Sequence, residues 1–258
     1  MPLSQQDLSG LNTYQADKQL LKNKLILITG ATDGIGCALA QACATHGARL
    51  ILLAKNENKL NALIEELEQT NNESHQCYSM DLAKAGELDY MKFAEFLATR
   101  DQAIDSLVLN AGVIEALQGL RNYPFDTWLR TITVNQHAPF MLSRCCIPVL
   151  EQSPDPTIVF SSHESNKAYW GAYAIAKSAQ LSMMKILADE LDGDKPIRVN
   201  AVDPSPVRTK LRMPHFPGVD PATFAAADEI LAPYLFFIGP DSQGVTGHNH
   251  KINPDFSG

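Results

Sequence analysis

From Lys24 almost to the end of the chain, short β-branched or leucine-rich runs alternate with longer stretches whose apolar residues recur at helical spacing. The short runs are continuously apolar, which marks strands buried on both faces. LILIT (25–29) precedes a helix over about 35–46, RLILLA (49–54) precedes ENKLNALIEELEQT, and HQCYSM (75–80) precedes a helix over about 87–100. IDSLVLN (104–110), TIVFS and IRVNAV (197–202) supply three further strands, and a last one lies around 248–252. Strand and helix taken in turn predict stacked βαβ units: a largely parallel seven-stranded sheet with helices on both faces, a doubly wound α/β sandwich of three layers.

Three stretches depart from that rhythm. Residues 125–150 read as one helical region bent or interrupted near Pro139, because proline has no N–H for an interior helical bond. Residues 203–220 hold four prolines and little periodicity. They predict a long loop with one short helix at most, of the kind that closes over a site. A further helix is expected near 221–238. Residues 1–22 carry leucines too sparse for a helix and read as an amino-terminal arm packed on a single domain over 23–258.

Composition narrows the choice of function. A chain of 258 residues that is 45% hydrophobic can bury a large core. No run approaches the roughly 18 apolar residues of a membrane span, and the first residues lack the apolar core of a secretory signal. A cytoplasmic protein with no membrane partner is therefore expected. The five cysteines are single or form the adjacent pair Cys145–Cys146, with no C-x-x-C spacing, so reduced core thiols are expected and no metal site. A formal charge of −8 weighs against nucleic acid as a partner.

The chemistry gathers at the predicted carboxyl ends of the strands, where open α/β sheets bind ligands. TGATDGIG (29–36) joins the first strand to the first helix. Gly30 permits the tight turn, Gly34 lets the backbone approach a pyrophosphate, Gly36 allows close packing, and the helix amino terminus offers N–H groups to phosphate. Five more strand ends deliver Lys55, Asp81, Asn110, Ser162 and Pro204. Tyr173 and Lys177 lie four apart on one helical face, which can set an ammonium beside a phenol. Free tyrosine titrates near pH 10, and a nearby cation favours the phenolate. Ser162 can point a hydroxyl at the same place. An amphipathic core tyrosine and a solvated lysine would show the same spacing, so the pair gains its meaning from its neighbours.

Those neighbours resemble the short-chain dehydrogenase/reductase family in its compact form. The resemblance rests on TGATDGIG, Asp81-Leu82, NAG (110–112), Asn135, Ser162, Tyr173-x-x-x-Lys177 and RVNAVDP (198–204). Within the family the chain looks most like the YciK-type bacterial oxidoreductases, through TDGIG, WGAYAIAKSA and the ADE(I/L) stretches. The resemblance implies a Rossmann-type fold and hydride transfer between a nicotinamide cofactor and a carbonyl or alcohol. Tyr173 would be the general acid in reduction and the base in oxidation. Lys177 would hold the nicotinamide ribose and lower the phenol's pKa, Ser162 would bond the substrate oxygen, and Asn135 would hold a water leading to Lys177. Cofactor contacts are implied for Gly30, Thr32, Asp33, Gly34, Ile35 and Gly36, for Lys55 and Asn56, and for Asp81 and Leu82. They continue through Asn110, Ala111, Gly112, Tyr173 and Lys177 to Pro204, Val207 and Thr209. A homodimer or homotetramer, paired through the helices after strands four and five, is the implied assembly.

Ala54-Lys55-Asn56 ends strand two with a base where an acid would bind the ribose 2′-hydroxyl, so NADP(H) is the expected cofactor and NAD(H) the alternative. Asp33 opposes that choice, since NADP-preferring relatives often place a base there. A solvated loop lysine is the other reading of Lys55. The chain departs from the family in three places. Ser162 precedes Tyr173 by 11 residues rather than the usual 13. The Pro-Gly after strand six is Pro204-Ser205, and KINPDFSG replaces the usual glycine pair after the last strand. A catalytically silent NADP(H)-binding sensor or scaffold of the same fold is the main alternative, and an epimerase-like activity a weaker one. A metal at His248 and His250 lacks further ligands, and a hydrolase built on Ser162 and His163 lacks the G-x-S-x-G elbow. Tyr169 and Trp170 either line a substrate mouth or pack on a neighbour.

Overall fold

The computed structural model describes residues 8, 10–100, 102–165 and 167–254. Seven parallel strands form one sheet in the order β3-β2-β1-β4-β5-β6-β7. They are β1 (Leu25–Thr29), β2 (Arg49–Ala54), β3 (Gln76–Ser79), β4 (Ser106–Leu109), β5 (Thr157–Ser161), β6 (Arg198–Asp203) and β7 (Asn249–Lys251). The helices are α1 (Gly34–Thr45), α2 (Glu57–Asn71), α3 (Glu87–Ala98), α4 (Phe125–Ile132), α5 (Ala138–Leu150), α6 (Gly171–Glu190) and α7 (Ala232–Ile238).

Successive residues of a strand face opposite layers, and the core divides accordingly. Ile26, Ile28, Leu50 and Leu52 pack with α1, α2 and α7, whereas Leu25, Leu27, Ile51 and Leu53 pack with α3, α5 and α6. Both faces of the sheet are thus covered by helices, as the continuous apolar runs require. Strand order reverses between β1 and β4, and this opens a crevice at the carboxyl ends.

The region 125–150 is interrupted just before Pro139, where α4 passes through a π-helical turn (Thr133–His137) into α5. Pro139 then sits in the first turn of α5, where an N–H would lack a helical acceptor anyway. Pro148 lies inside the same helix. The single helix expected over 221–238 is instead two 3₁₀ turns (Pro221–Thr223 and Ala227–Ile230) followed by α7. Asp220 accepts from the Ala222 N–H, the Glu229 carboxylate accepts from the Ala226 N–H, and Pro233 can only occupy the start of a helix. Within the 203–220 loop the one short helix is the 3₁₀ turn Met213–His215.

The described part of the amino-terminal arm packs against α1 and α7. Leu11 and Leu21 are buried, Tyr14 meets Phe236 edge-on, and the Tyr14 hydroxyl donates to Asp241. Residues 1–7 and 9 of the arm, and 255–258 of the closing KINPDFSG, lie outside the described residues.

Candidate active site

The turn after β1 is held open by its glycines. Gly30 has φ +65°, and a Cβ there would stand 2.8 Å from Ala111 Cα, so β1 and the NAG turn approach closer than a side chain permits. Thr29 Oγ1 accepts from the N–H groups of Asn110 and Ala111, each at 3.0 Å, which locks the two turns together. Asn110 Nδ2 donates to Thr29 O, and Ser161 Oγ donates to Asn110 Oδ1. The result is a rigid floor from β1 across β4 to β5.

Above that floor lies a cleft of about 410 Å³. The glycine turn enters its wall through Gly30, Thr32, Asp33, Gly34 and Ile35, and the ends of β2 and β3 through Lys55, Asp81 and Leu82. Asn110, Ala111 and Gly112 line it too, with Ser162, Tyr173, Pro204 and Val207, while Thr209 lines it against Gly34. Four residues singled out from sequence do not line it. Gly36 packs under the turn, where a Cβ would collide with Gly30 O, and Asn56 caps α2 by accepting from Lys59 N–H at 3.0 Å. Asn135 and Lys177 lie behind the wall.

The π-helical turn carries Asn135, which is fully buried. Its Oδ1 accepts from Val113 N–H at 3.1 Å, and its Nδ2 donates to Val113 O and Thr131 O at 2.8 and 2.9 Å. Lys177 donates to Ser161 O at 2.7 Å and to Gln180 Oε1 at 3.1 Å. Gln180 in turn donates to the main-chain carbonyl of Asn135. A side-chain amide therefore joins Lys177 to the Asn135 carbonyl. Burial pulls the Lys177 ammonium down to about 8, against the opposing pull of the Asp203 carboxylate.

Tyr173 lies on α6 one turn before Lys177, whose Nζ is 5.9 Å from the phenol ring centre. Burial pushes the phenol well above its usual range, the Asp203 charge adds to this, and the Arg212 charge opposes it. The phenol is thus raised where the Lys177 cation was expected to lower it, because that ammonium is turned to Ser161 O and Gln180 Oε1. Ser162 lines the same cleft, with its hydroxyl donating to Asn249 Oδ1 on β7 at 2.8 Å.

Trp170 is buried in the cleft wall, between the rings of His163, Tyr173 and Phe216, whereas Tyr169 is exposed. Asp33 does not stand alone: Lys210 lies 3.2 Å from its carboxylate and Lys59 4.0 Å. Ser205 adopts φ +59°, the left-handed backbone that the usual glycine would take. Its N–H donates to Asp203 Oδ1 at 3.0 Å, and its Oγ accepts from Asn253 N–H at 3.0 Å. Among the described residues no group of three or more His, Cys, Asp or Glu is placed to hold a metal. His248 and His250 stack at 6.2 Å, with His250 held by Asn12.

Gln180, Asp203 and Asn249 were missed from sequence. Only Gln180 carried a local signal, lying three residues after Lys177 on the same helical face.

The model of the short chain dehydrogenase family matches residues 24–219. The oxidoreductase YciK of Escherichia coli K12, itself uncharacterised, is 33% identical over 244 residues, covering 93% of this chain and 96% of that protein. D-threitol dehydrogenase of Mycolicibacterium smegmatis is 28% identical, covering 92% and 94%. The solved structure of Escherichia coli YciK superposes with a TM-score of 0.90 at 33% identity, covering 93% of this chain and 99% of that one. A chain from Escherichia coli CFT073, described as a short chain dehydrogenase complexed with NADPH, gives a TM-score of 0.88 at 33% identity, covering 92% and 100%. Family model, relatives and fold agree, and this chain belongs to the short chain dehydrogenases, a family of oxidoreductases.

Proposed function

We propose that this chain interconverts a carbonyl and an alcohol with NADP(H), using Tyr173 as the acid in reduction and the base in oxidation. The observation that carries the reading is the position of Tyr173: a buried phenol in the wall of a cleft whose other half is a glycine turn opening a helix. The cleft suits a dinucleotide, because the glycine turn in its wall opens α1, whose amino-terminal N–H groups suit a pyrophosphate. When bound, the cofactor supplies or takes the hydride.

NADP(H) is favoured over NAD(H) by charge at one corner of the cleft. Lys55 follows β2 in the cleft wall, and the Lys59 and Lys210 ammonium groups flank the Asp33 carboxylate. A 2′-phosphate suits that balance better than a bare hydroxyl does. The NADPH bound to the Escherichia coli relative agrees with this choice.

Lys177 is one turn from Tyr173 and close behind Gly112, so breaking its bond to Gln180 would free it for ribose hydroxyls. Its charge would then stabilise the phenolate left after proton donation. Ser162 would turn from Asn249 to the substrate oxygen, and Asn135 would hold the NAG turn and the lysine's neighbour in place. The substrate is a small carbonyl or alcohol. No helix among the described residues is long and apolar enough to cross a membrane. Phe125 on α4 and Phe140 on α5 are 71% and 49% exposed, and these faces would pair two copies in a cytoplasmic homodimer or homotetramer.

The test follows NADPH absorbance with a panel of ketones and aldehydes. Tyr173→Phe should lower kcat by about 100-fold to 10,000-fold while leaving NADPH affinity unchanged. Tight NADPH binding by the wild type without turnover across the panel would instead mark a silent nucleotide-binding protein.

A further inference from the structure

His163 and Asp203 take no part in the reaction as described above, yet they stand beside its proton donor. β5 and β6 are adjacent, Ser161 pairs with Val202, and His163, two residues beyond the end of β5, meets Asp203 at the end of β6. Nδ1 of the imidazole is 3.7 Å from Asp203 Oδ1, and both side chains are more than nine-tenths buried. Asp203 is itself fixed by N–H donors from Glu164 at 2.9 Å and Ser205 at 3.0 Å. The imidazole packs on the rings of Trp170 at 4.9 Å and Tyr173 at 5.7 Å, and His163 lines the cleft. Its other nitrogen, Nε2, is buried and has no hydrogen-bond partner.

An imidazole whose Nδ1 is turned to a carboxylate has its tautomer and orientation set, and Nε2 is then the atom it presents to a ligand. A buried polar atom left unpaired is costly, and so it rewards a ligand that supplies the missing partner. Tyr173 already provides for the oxygen on the carbon that is reduced or oxidised.

Building on the oxidoreductase reading, we propose that His163, oriented by Asp203, hydrogen-bonds a second oxygen of the substrate on the carbon next to the reacting one. The substrate class is then a hydroxy ketone and its vicinal diol. In reduction, the carbonyl carbon gains hydride and its oxygen gains the Tyr173 proton, so hydroxy ketone, NADPH and a proton give diol and NADP⁺. His163 binds throughout and transfers nothing. Sites built to bond a substrate hydroxyl discriminate strongly against the analogue lacking it, because the protein's own polar group is then left unpaired.

The experiment compares 3-hydroxybutan-2-one with butan-2-one in wild type, His163→Asn and His163→Gln. Asn can keep a bond to Asp203 but has nothing at the Nε2 position, whereas Gln restores an amide there. Wild-type kcat/KM should favour the hydroxy ketone by at least about tenfold, mainly through KM. His163→Asn should bring the two ketones close to parity, and His163→Gln should recover part of the preference. A purely structural role would depress both ketones together. In parallel, butane-2,3-diol added to the NADP⁺-loaded protein should shift the ¹⁵N resonance of His163 Nε2, and butan-2-ol should not. Equal use of both ketones by the wild type, or a preference that survives His163→Asn, would overturn the inference and leave the oxidoreductase reading intact. A diol-specific Nε2 shift without turnover of either ketone would uphold the binding role and count against the oxidoreductase reading. Neither shift nor turnover would overturn both.

Discussion

The two ends of the sheet solve the problem of buried polar groups in opposite ways. At the amino ends, charges are matched to one another: Asp155 takes Lys24 at 2.7 Å and also Arg198, whose guanidinium donates to Ser242 Oγ and Gly239 O. Asp105 accepts from Ser153 Oγ at 2.6 Å and Leu25 N–H at 2.8 Å. Left-handed backbone occurs at both ends, at Asn23, Gly47 and Asn72 before strands and at Gly30, Gly34, Tyr169, Gly171 and Ser205 beyond them, but at the carboxyl ends Tyr173 and Lys177 are also held away from their usual pKa values and His163 keeps a nitrogen unpaired in the cleft wall. One edge is built for stability. The other holds shifted pKa values and unfilled bonding capacity, as ligand sites do.

The comparison can be broken first at the stable edge. Asp155→Ala leaves two cations part-buried without their shared carboxylate and should cost about 3 kcal/mol. Denaturant unfolding would show this as a lower midpoint, while NADPH affinity should stay as in the wild type. A loss of affinity in proportion to stability would show that the two edges are not separable.

A smaller effect is expected where the carboxyl edge meets the helix bearing Tyr173. Gly171 has φ +50°, and a Cβ there would run into the Tyr123 ring, whose hydroxyl donates to Ala116 O. Gly171→Ala should cost about 2 kcal/mol in a thermal or denaturant melt and lower kcat as well, since α6 must shift at the turn before Tyr173. Unchanged kcat would mean that α6 holds its register without this glycine.

A further effect separates the edges by pH. Burial brings Lys177 down to about 8, while an unfolded lysine titrates near 10.4. Between these values the unfolded chain holds a proton that the folded one has lost, so this residue's contribution to stability rises with pH from about 8 to 10. The urea midpoint of the wild type should therefore gain on that of Lys177→Met across that window. A wild type that loses ground there would mean that Asp203 outweighs burial.

Much of this was legible in the chain because it depends on near neighbours. LILIT and RLILLA appear as β1 and β2 with the expected bounds, and α2 follows its apolar period over Glu57–Asn71. The motif residues reach one cleft because a parallel sheet brings all its carboxyl ends to one edge. What stayed hidden depends on contacts distant in sequence. Ser162 meets Asn249 across 87 positions and Glu164 N–H meets Asp203 across 39, and no local period encodes either. The stretch 221–238 has helical composition, but Pro233 and the Asp220 and Glu229 side chains divide it, so local propensity yields to specific turns. The π-helical turn at Asn135 left no trace in the hydrophobic pattern, because one widened turn barely shifts that pattern's phase.

A crystal structure of the NADP⁺ complex tests the central claim most directly. The account predicts the nicotinamide and the Tyr173 hydroxyl facing one shared void, Lys177 moved from Gln180 to the ribose, and the 2′-phosphate beside Lys55. A nicotinamide bound away from Tyr173, or a gap between them filled by Trp170 and His163, would contradict it.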